Sequence, residues 1–290
     1  MNAKRYLIII CLIFSLVLFF VITSCAEKDN EEKLTPDRDA GETIAGAMAL
    51  STGGAIDQMA DLCEFLVYDS TEVDKVIMSH YNTRDYQMHK TYNEALGQWN
   101  ITVERTRGIV GVIPYAHTTR NYILKYLDAD GNPQHYYVTD SDTARTVNFR
   151  IMHGTGQFMT RRISHDLDSL GASWTITNAN QEMVTINGGY HRAATDTIRG
   201  WNRIRASNHQ LELNFEDVVA PRGPHQLFYQ AVSGHVTGTF DAVVTFMSGT
   251  AYNETTIHRD IDIVFGNGRG DVTVGSKHYT ADLYLGELID

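Results

Sequence analysis

Cysteine is scarce in this chain, and its scarcity limits how the fold can be held together. Three cysteines occur among 290 residues. Cys11 lies inside an apolar N-terminal run, Cys25 follows that run, and only Cys63 lies in the remaining chain. One cysteine in that part excludes an intramolecular disulfide and a thiolate metal cluster. We therefore expect the fold to depend on apolar burial, with Cys63 as a small buried residue.

Basic residues are also few relative to acidic ones. The chain carries 24 Lys and Arg against 35 Asp and Glu, which gives a formal net charge of −11. An acidic protein does not attract nucleic acid or an anionic lipid surface through its net charge. The sequence therefore predicts no nucleic-acid partner.

Recognisable catalytic motifs are missing. The sequence has no nucleophile elbow, no Ser-x-x-Lys motif and no glycine-rich phosphate loop. Twelve histidines occur, but no pair has the H-E-x-x-H or H-x-H spacing that places two ligands on one metal. We assign no catalytic, cofactor-binding or metal-binding residue from the sequence, although His258 and His278 lie on runs that could be neighbours.

Two short segments match the start of a known motif and are interpreted as turns. Residues 128–132 begin like a calcium loop, but Pro133 stands at the sixth position, where that loop requires glycine. The segment therefore predicts a hairpin turn. Arg269-Gly270-Asp271 spells a tripeptide known from integrin ligands, and we place it in a turn, where glycine is expected for backbone reasons.

The N-terminal segment has the order of an export signal. Lys4 and Arg5 precede an apolar run over residues 6–22. The run ends in an aliphatic residue, two small residues and a cysteine, namely Ile22, Thr23, Ser24 and Cys25. This ending resembles the lipobox of bacterial lipoproteins, in which Ser24 is an accepted variant of the usual Gly or Ala.

The lipobox resemblance implies a membrane anchor. In that family the chain is cut before the cysteine, which then carries a diacylglycerol and, on its new amino terminus, an acyl chain such as palmitate. Residues 1–24 would then be the signal peptide, and Cys25 the lipid-bearing first residue. Each buried acyl methylene contributes roughly 0.8 kcal/mol, so two or three chains hold a protein on a bilayer almost permanently. An uncleaved membrane helix and a cleaved signal without lipid are the alternatives.

The residues after Cys25 indicate a solvated tether. Residues 26–42 carry seven acids, one proline and few apolar residues, and such a composition does not fold by itself. Glu27, Lys28 and Asp29 resemble the export signal that sends Bacteroidota-type lipoproteins to the outer face of the outer membrane. A plain hydrophilic linker is the alternative. We therefore expect a lipidated tether over residues 25–41 and an outer-membrane location, on the periplasmic or the cell-surface side.

A helix is expected at the start of the folded part. Apolar residues recur at helical spacing within residues 43–66, on one face of the second half. Gly53 and Gly54 should break or kink this stretch. No helical pattern of comparable strength follows, so residues 42–290 are predicted to be a β-rich domain with one N-terminal helix, possibly with two sub-sheets.

The remaining chain has the alternation of β-strands. In residues 232–247, apolar and glycine residues occupy the even positions, and mostly Ser, His, Thr and Asp occupy the odd ones. Residues 211–216 and 256–265 alternate likewise. Gly- and Asn-containing turns separate such runs. The pattern predicts a mainly β fold, a long antiparallel meander arranged as a sandwich or as a curved half-barrel.

Three classes of function remain open from the sequence. The first is a non-enzymatic binding or structural role on the envelope, with a glycan, lipid or protein as ligand. The second is a carrier of lipid or amphiphile, because a helix followed by a meander resembles the order found in periplasmic lipoprotein carriers. The third is an envelope hydrolase. A strip of exposed aromatic residues with carboxamides would favour a glycan binder. A large apolar cavity would favour the carrier, and convergent buried carboxyls or histidines would favour the hydrolase.

Overall fold

The computed structural model describes residues 35–66, 83–139, 142–199, 204–223, 225, 227–248 and 251–289. The folded unit is Pro36–Asp290. The predicted signal, lipidation and export residues lie outside the described residues; they are Ile22, Thr23, Ser24, Cys25, Glu27, Lys28 and Asp29. No helix within the described ranges is long and apolar enough to cross a membrane.

Two helices open the folded unit. α1 spans Pro36–Met48, α2 spans Ala55–Phe65, and residues 49–54 connect them. The predicted break at Gly53 and Gly54 is confirmed: Gly53 has a φ of +74°, and a Cβ atom on Gly54 would collide with the carbonyl of Ala47. The helical segment therefore contains two helices rather than one.

The early start of α1 differs from the predicted extent of the tether. The sequence places residues 36–41 in solvent, whereas the structure places them in α1, where Asp39 and Glu42 are buried. Arg205 pairs with Asp39 and Arg162 pairs with Glu42, each at 2.5 Å. Because Asp39 and Arg205 are 166 residues apart, local composition could not reveal that these acids would be compensated.

Strands make up most of the rest. Within the described residues they are β1 Thr83–Asn93, β2 Gln98–Arg107, β3 Tyr115–Leu127, β4 Pro133–Gln134, β5 Val138–Thr139, β6 Asp142–Thr143, β7 Thr146–Met159, β8 Ile163–Thr177, β9 Met183–Arg199, β10 Ile204–Pro221, β11 Ser233–Ser248, β12 Ala251–Gly266, β13 Arg269–Val274, β14 Lys277–Asp282 and β15 Leu288–Ile289. A four-residue helix, α3 Phe228–Ala231, precedes β11.

One antiparallel sheet contains nearly all of these strands. Its order is β1-β2-β3-β7-β8-β9-β10-β11-β12-β13-β14-β15, with β4 paired to β3, and β5 and β6 form a separate two-stranded ladder. Neighbours in sequence are thus neighbours in the sheet, as short turns require. The predicted mainly β meander is confirmed, and its strands form one large sheet rather than the two sheets of a sandwich.

Alternation along the strands separates an inner face from an outer face. In β11, Val236, Phe240 and Val244 are buried, whereas Thr237 and Thr239 on the other face are partly exposed. The buried set of each long strand joins apolar residues of α1 and α2 in one core. We call the face that packs on the helices the inner face, and the opposite one the outer face.

The sheet curves around the connection between the two helices. The N–H of Leu50 donates to the carbonyl of Leu283, which follows β14, at 2.9 Å. Arg107 at the end of β2 donates to the carbonyl of Leu50. Residues from opposite regions of the strand order therefore meet at one short loop, an arrangement that matches the curved alternative.

Candidate functional site

The inner face binds α2 through a buried group of ionic side chains. Three arginines of β2 and β3 converge on Asp57: Arg105 and Arg120 at 2.7 Å, and Arg107 at 2.5 Å. Asp61, one helical turn further, accepts from Arg105 and also from the hydroxyl of Tyr122 at 2.7 Å. We call these residues the helix-anchoring cluster.

Electrostatics in this cluster favour a charged Asp57. Burial alone would raise the pKa of that carboxyl, but Arg105, Arg107 and Arg120 hold it far below its usual range. Asp57 is 0 % exposed, so its charge depends entirely on these partners. The cluster thus positions α2 on the sheet, and it is too deeply buried to meet a substrate.

Glu64 lies on the same helix without a comparable partner. It is 1 % exposed, and neither carboxylate oxygen has a hydrogen-bond partner among the residues that the structure describes. Burial, with a smaller contribution from Asp61, raises its pKa to about 8. A buried carboxyl of this kind takes the neutral form at neutral pH rather than remaining an unpaired charge.

A second buried group joins α1 to the central strands. His165 Nδ1 lies 2.5 Å from Asp196 Oδ1, and the hydroxyl of Thr43 donates to Asp196 Oδ2 at 2.7 Å. His209 Nδ1 lies 3.5 Å from the same Asp196 oxygen. Arg192 approaches the other side of His165, at 2.5 Å from Nε2. The sequence reasoning missed this convergence, because these residues come from three different strands and a helix.

The three residues His165, Asp196 and His209 have the chemical types of metal ligands and offer donor atoms within 4.8 Å of one another. The tautomer of His165 decides whether they can act together. Arginine can only donate, so Nε2 must accept from Arg192, and the ring proton must then lie on Nδ1, facing Asp196. A neutral His165 therefore has no lone pair left for a metal, and the group functions as a hydrogen-bond network.

Burial also controls the protonation of this network. Burial lowers the pKa of His209 to about 4, and it lowers the pKa of His165, with Arg192 acting in the same direction. Burial would raise the pKa of Asp196, but His165 and its hydrogen bond hold it at about 2. At neutral pH the network therefore contains neutral histidines around a charged Asp196. His165, Asp196 and His209 are at most 2 % exposed, so no substrate reaches them in this arrangement.

The outer face carries an open groove across five neighbouring strands, β7 to β11. Its volume is about 640 Å³. Exposed polar and charged side chains project around it, and glycines form part of its floor. Among its lining residues are Arg150, Gly171, Ser173, Gly189, His191, Glu212, Asn214, Thr237, Gly238 and Thr239. We call this feature the outer groove.

Glycines at both kinds of strand position line the outer groove: Gly189 lies at an exposed outer-face position, and Gly238 lies at an inner-face position between Val236 and Phe240. A Cβ atom on Gly238 would collide with the carbonyl of Glu212, so only glycine allows this approach. A Cβ on Gly189 would meet only the carbonyl of Leu213, at 4.0 Å. The glycine spacing in β11 predicts a bulge, a bend or a close backbone approach, and at Gly238 the close approach is confirmed.

The chemistry of the outer groove is that of polar recognition. Arg150 supplies donors, Glu212 supplies acceptors, and Asn214, Ser173 and the threonines supply groups of both kinds. In the middle of a paired sheet the backbone N–H and C=O groups are already bonded to neighbouring strands. A ligand must therefore be recognised by side chains and not by addition of a strand.

The other residues singled out in the sequence have structural surroundings. His258 pairs with Asp241 at 2.6 Å, and His278 contacts Thr273 at 2.9 Å, so each has its own partner. The predicted turn at residues 128–132 is confirmed, since the carboxylate of Asp128 accepts from two backbone N–H groups of that segment.

The interpretation of residues 269–271 as a turn is wrong. Arg269, Gly270 and Asp271 open β13, directly after the turn at Asn267 and Gly268, and Gly270 is buried.

Comparisons with known proteins found no matching family model, no matching curated protein and no matching solved structure.

Proposed function

We propose that this chain is a lipoprotein of the bacterial cell envelope, anchored through Cys25, with a non-enzymatic binding domain as its folded unit. The outer groove is its binding site, and its ligand is rich in hydroxyl groups, as a saccharide is. The anchor rests on the lipobox resemblance, and the binding role rests on the groove.

The observation that carries the binding role is the mixture of donors and acceptors around an open floor. Sugar hydroxyls both donate and accept, so they can bond to the carboxylate of Glu212, the guanidinium of Arg150 and the amide of Asn214 in one pose. All three side chains are exposed. A predominantly apolar ligand would strip water from these three side chains. It would offer no hydrogen bonds to replace the ones they make to that water.

The inner face supports a binding role over the two alternatives. A carrier would store its apolar ligand against the inner face, which α1 and α2 already cover through buried side chains and ion pairs. A hydrolase would need its carboxyl and imidazole groups at a substrate, and the network around Asp196 is closed from solvent. The carrier role, and a hydrolase that used this network, would each require the helices to leave the sheet.

The test fills the outer groove without straining the backbone. Gly189→Trp places an indole in the groove at a position where a Cβ has room. Gly266→Trp is the matched control, because Gly266 lies at the end of β12 outside the groove lining and a Cβ there meets nothing within 4 Å. Both variants should retain wild-type unfolding behaviour.

Binding is measured on an array of immobilised oligosaccharides, with an array of unrelated peptides beside it. We expect wild-type protein and Gly266→Trp to bind the same saccharides, and Gly189→Trp to lose at least tenfold in affinity for them. Undiminished saccharide binding by Gly189→Trp would place the site elsewhere. Binding to peptides alone would refute the assigned ligand class.

A further inference from the structure

The hairpin connection between β2 and β3 exposes four aliphatic side chains next to one another in sequence. Residues 108–114 read Gly-Ile-Val-Gly-Val-Ile-Pro. The exposed fractions are 55 % for Ile109, 75 % for Val110, 55 % for Val112 and 42 % for Ile113. Single exposed apolar residues are ordinary on a protein surface, but a contiguous apolar patch marks a site of interaction. We call residues 108–114 the apolar loop.

The apolar loop has a defined backbone conformation. The N–H of Val112 donates to the carbonyl of Ile109 at 2.9 Å, which closes a four-residue turn. Gly111, the third residue of this turn, has a φ of +82°, as the third position of a type II turn requires. A Cβ atom on Gly111 would meet nothing within 4 Å. The turn thus holds its aliphatic side chains away from the rest of the fold.

Charge around the apolar loop suits a lipid surface better than the average surface of this acidic protein does. Residues 105–127 contain no Asp or Glu. The neighbouring connection between β7 and β8 carries Arg161, whose side chain is 77 % exposed while it pairs with Glu287. Arg199 is exposed at the end of β9, beside Ile204, which is 50 % exposed. The strand ends next to the apolar loop therefore carry Arg199 beside an apolar residue, together with the Arg161–Glu287 pair and the exposed Asp85 of β1.

α1 also contacts this end of the strands. Asp39 in the first turn of α1 pairs with Arg205, the second residue of β10, and Glu42 pairs with Arg162 between β7 and β8. β3 and β10 are four strand positions apart in the sheet order, a separation of about 19 Å at a strand spacing of ~4.8 Å. Asp39 and Glu42 of α1 thus lie along the edge that carries the apolar loop, while Asp37 pairs with Arg259 halfway along β12 at 2.7 Å.

The length of the tether agrees with this placement. Eleven residue steps separate Cys25 from Pro36, and an extended chain spans at most about 3.5 Å per step, or roughly 38 Å. A bilayer that holds a lipid on Cys25 therefore lies within reach of the edge that carries the apolar loop. The reach of the bilayer to this edge depends on the proposed lipid anchor, whereas the exposure of the apolar loop does not.

We propose that the apolar loop inserts into the surface of the bilayer that holds the lipid anchor, as a second and reversible membrane contact. The occupant of the patch is phospholipid. Two contacts, one covalent lipid and one loop, fix which end of the sheet faces the membrane. The outer groove, in the middle of its strands, then remains accessible from the side.

A fluorescent probe tests the insertion on the full lipidated protein. Val110→Cys is labelled with an environment-sensitive nitrobenzoxadiazole dye and reconstituted in vesicles of phosphatidylethanolamine and phosphatidylglycerol. Val264→Cys is the matched control, because Val264 is 49 % exposed and lies on β12 away from the loop. Cys63 is fully buried, and an acylated Cys25 has no free thiol.

We expect a several-fold rise in emission at residue 110 on reconstitution, and strong quenching there by lipids that carry a nitroxide on the acyl chain. The control at residue 264 should show neither change. Equal responses at both positions, or no lipid quenching at residue 110, would overturn the proposal. A rise at residue 110 that depends on protein concentration without vesicles would mean that a second copy covers the loop, and would also overturn it.

Acylation of Cys25, the proposed lipid anchor, is measured separately in the same samples. The acyl mass on the purified chain and its flotation with vesicles report on Cys25. Absence of the acyl mass would refute the anchor, while the quenching difference between residues 110 and 264 would still report on the loop, because any dye on a free Cys25 is common to both variants.

Discussion

At the scale of single residues, burial decides the charge state of Glu64. Its carboxyl has no hydrogen-bond partner within the described part of the chain, and its pKa is raised to about 8 by burial and then by Asp61. In the unfolded chain the same group has a pKa near 4.5. The folded state therefore binds this proton more tightly, and the contribution to stability is present below pH 4.5 and is lost as the pH rises towards 8.

Glu64→Gln should remove this pH dependence. The amide has nearly the same shape and no charge, so the variant should match wild type near pH 4.5 and exceed it by roughly 4 kcal/mol at pH 8. Urea unfolding at both pH values measures the difference. Glu182→Gln, at an exposed position, should change stability at neither pH. A variant that is less stable than wild type at pH 8 would show that the ionised carboxylate is compensated.

Phe240 tests the assignment of the inner and outer faces. Its side chain is 1 % exposed and stacks near His209, with ring centroids 5.3 Å apart, while Thr239 faces the outer groove. Phe240→Ala opens a cavity and should cost roughly 3–5 kcal/mol. Thr239→Ala should change the free energy of unfolding by less than about 0.5 kcal/mol. Equal losses in urea unfolding would contradict the alternation.

At the scale of elements, the two helices depend on arginines from the sheet. α2 is held at Asp57 and Asp61 by β2 and β3, and α1 is held at Asp39 and Glu42 by residues near the strand ends. A buried ion pair adds little compared with an apolar pair of the same volume, but removing one partner leaves an uncompensated charge in the interior. The attachment of the helices is therefore sensitive to single substitutions.

Asp57→Asn leaves three arginines facing a neutral amide. We expect a loss of about 3–5 kcal/mol in the free energy of unfolding, because Arg105, Arg107 and Arg120 lose their shared carboxylate. Thermal or urea unfolding followed by circular dichroism measures it. In contrast, Glu287→Gln weakens a pair in which the Arg161 side chain is 77 % exposed, and it should cost no more than about 1 kcal/mol. Similar small losses for both would mean that the cluster does not hold α2.

The strands could be predicted from the sequence because their signal is local. Each long strand has one packed face, so the alternation in residues 232–247 appears within the strand itself. The start of α1 could not be predicted in this way. Its first turn is acidic, and an acidic composition predicts a segment exposed to solvent. The arginines that pair with Asp39 and Glu42 lie in β10 and just before β8, far along the chain.

At the scale of the whole molecule, both polar sites depend on strand register. His165, Asp196 and His209 lie on β8, β9 and β10, and the outer groove takes its lining from five strands. No spacing in the sequence encodes such pairings, since a shift of one residue in register would turn each side chain to the other face. Gly238 is a signal in the sequence that two strand backbones come close together at this position, because glycine within a strand marks a close approach.

The proposed lipid anchor would place the protein in the cell envelope, and it depends on one residue. A lipobox specifies acylation of a single cysteine, and Cys25 is the one that follows the aliphatic and small residues Ile22, Thr23 and Ser24. The remaining cysteine of the folded unit, Cys63, is fully buried. Cys63→Ser is therefore a matched control for Cys25→Ala.

Metabolic labelling of cells with a palmitate analogue tests the anchor directly. Wild type and Cys63→Ser should incorporate the label, whereas Cys25→Ala should lose it and accumulate as the longer precursor that retains residues 1–24. Undiminished label on Cys25→Ala would contradict the proposal that this protein is a lipoprotein anchored at Cys25.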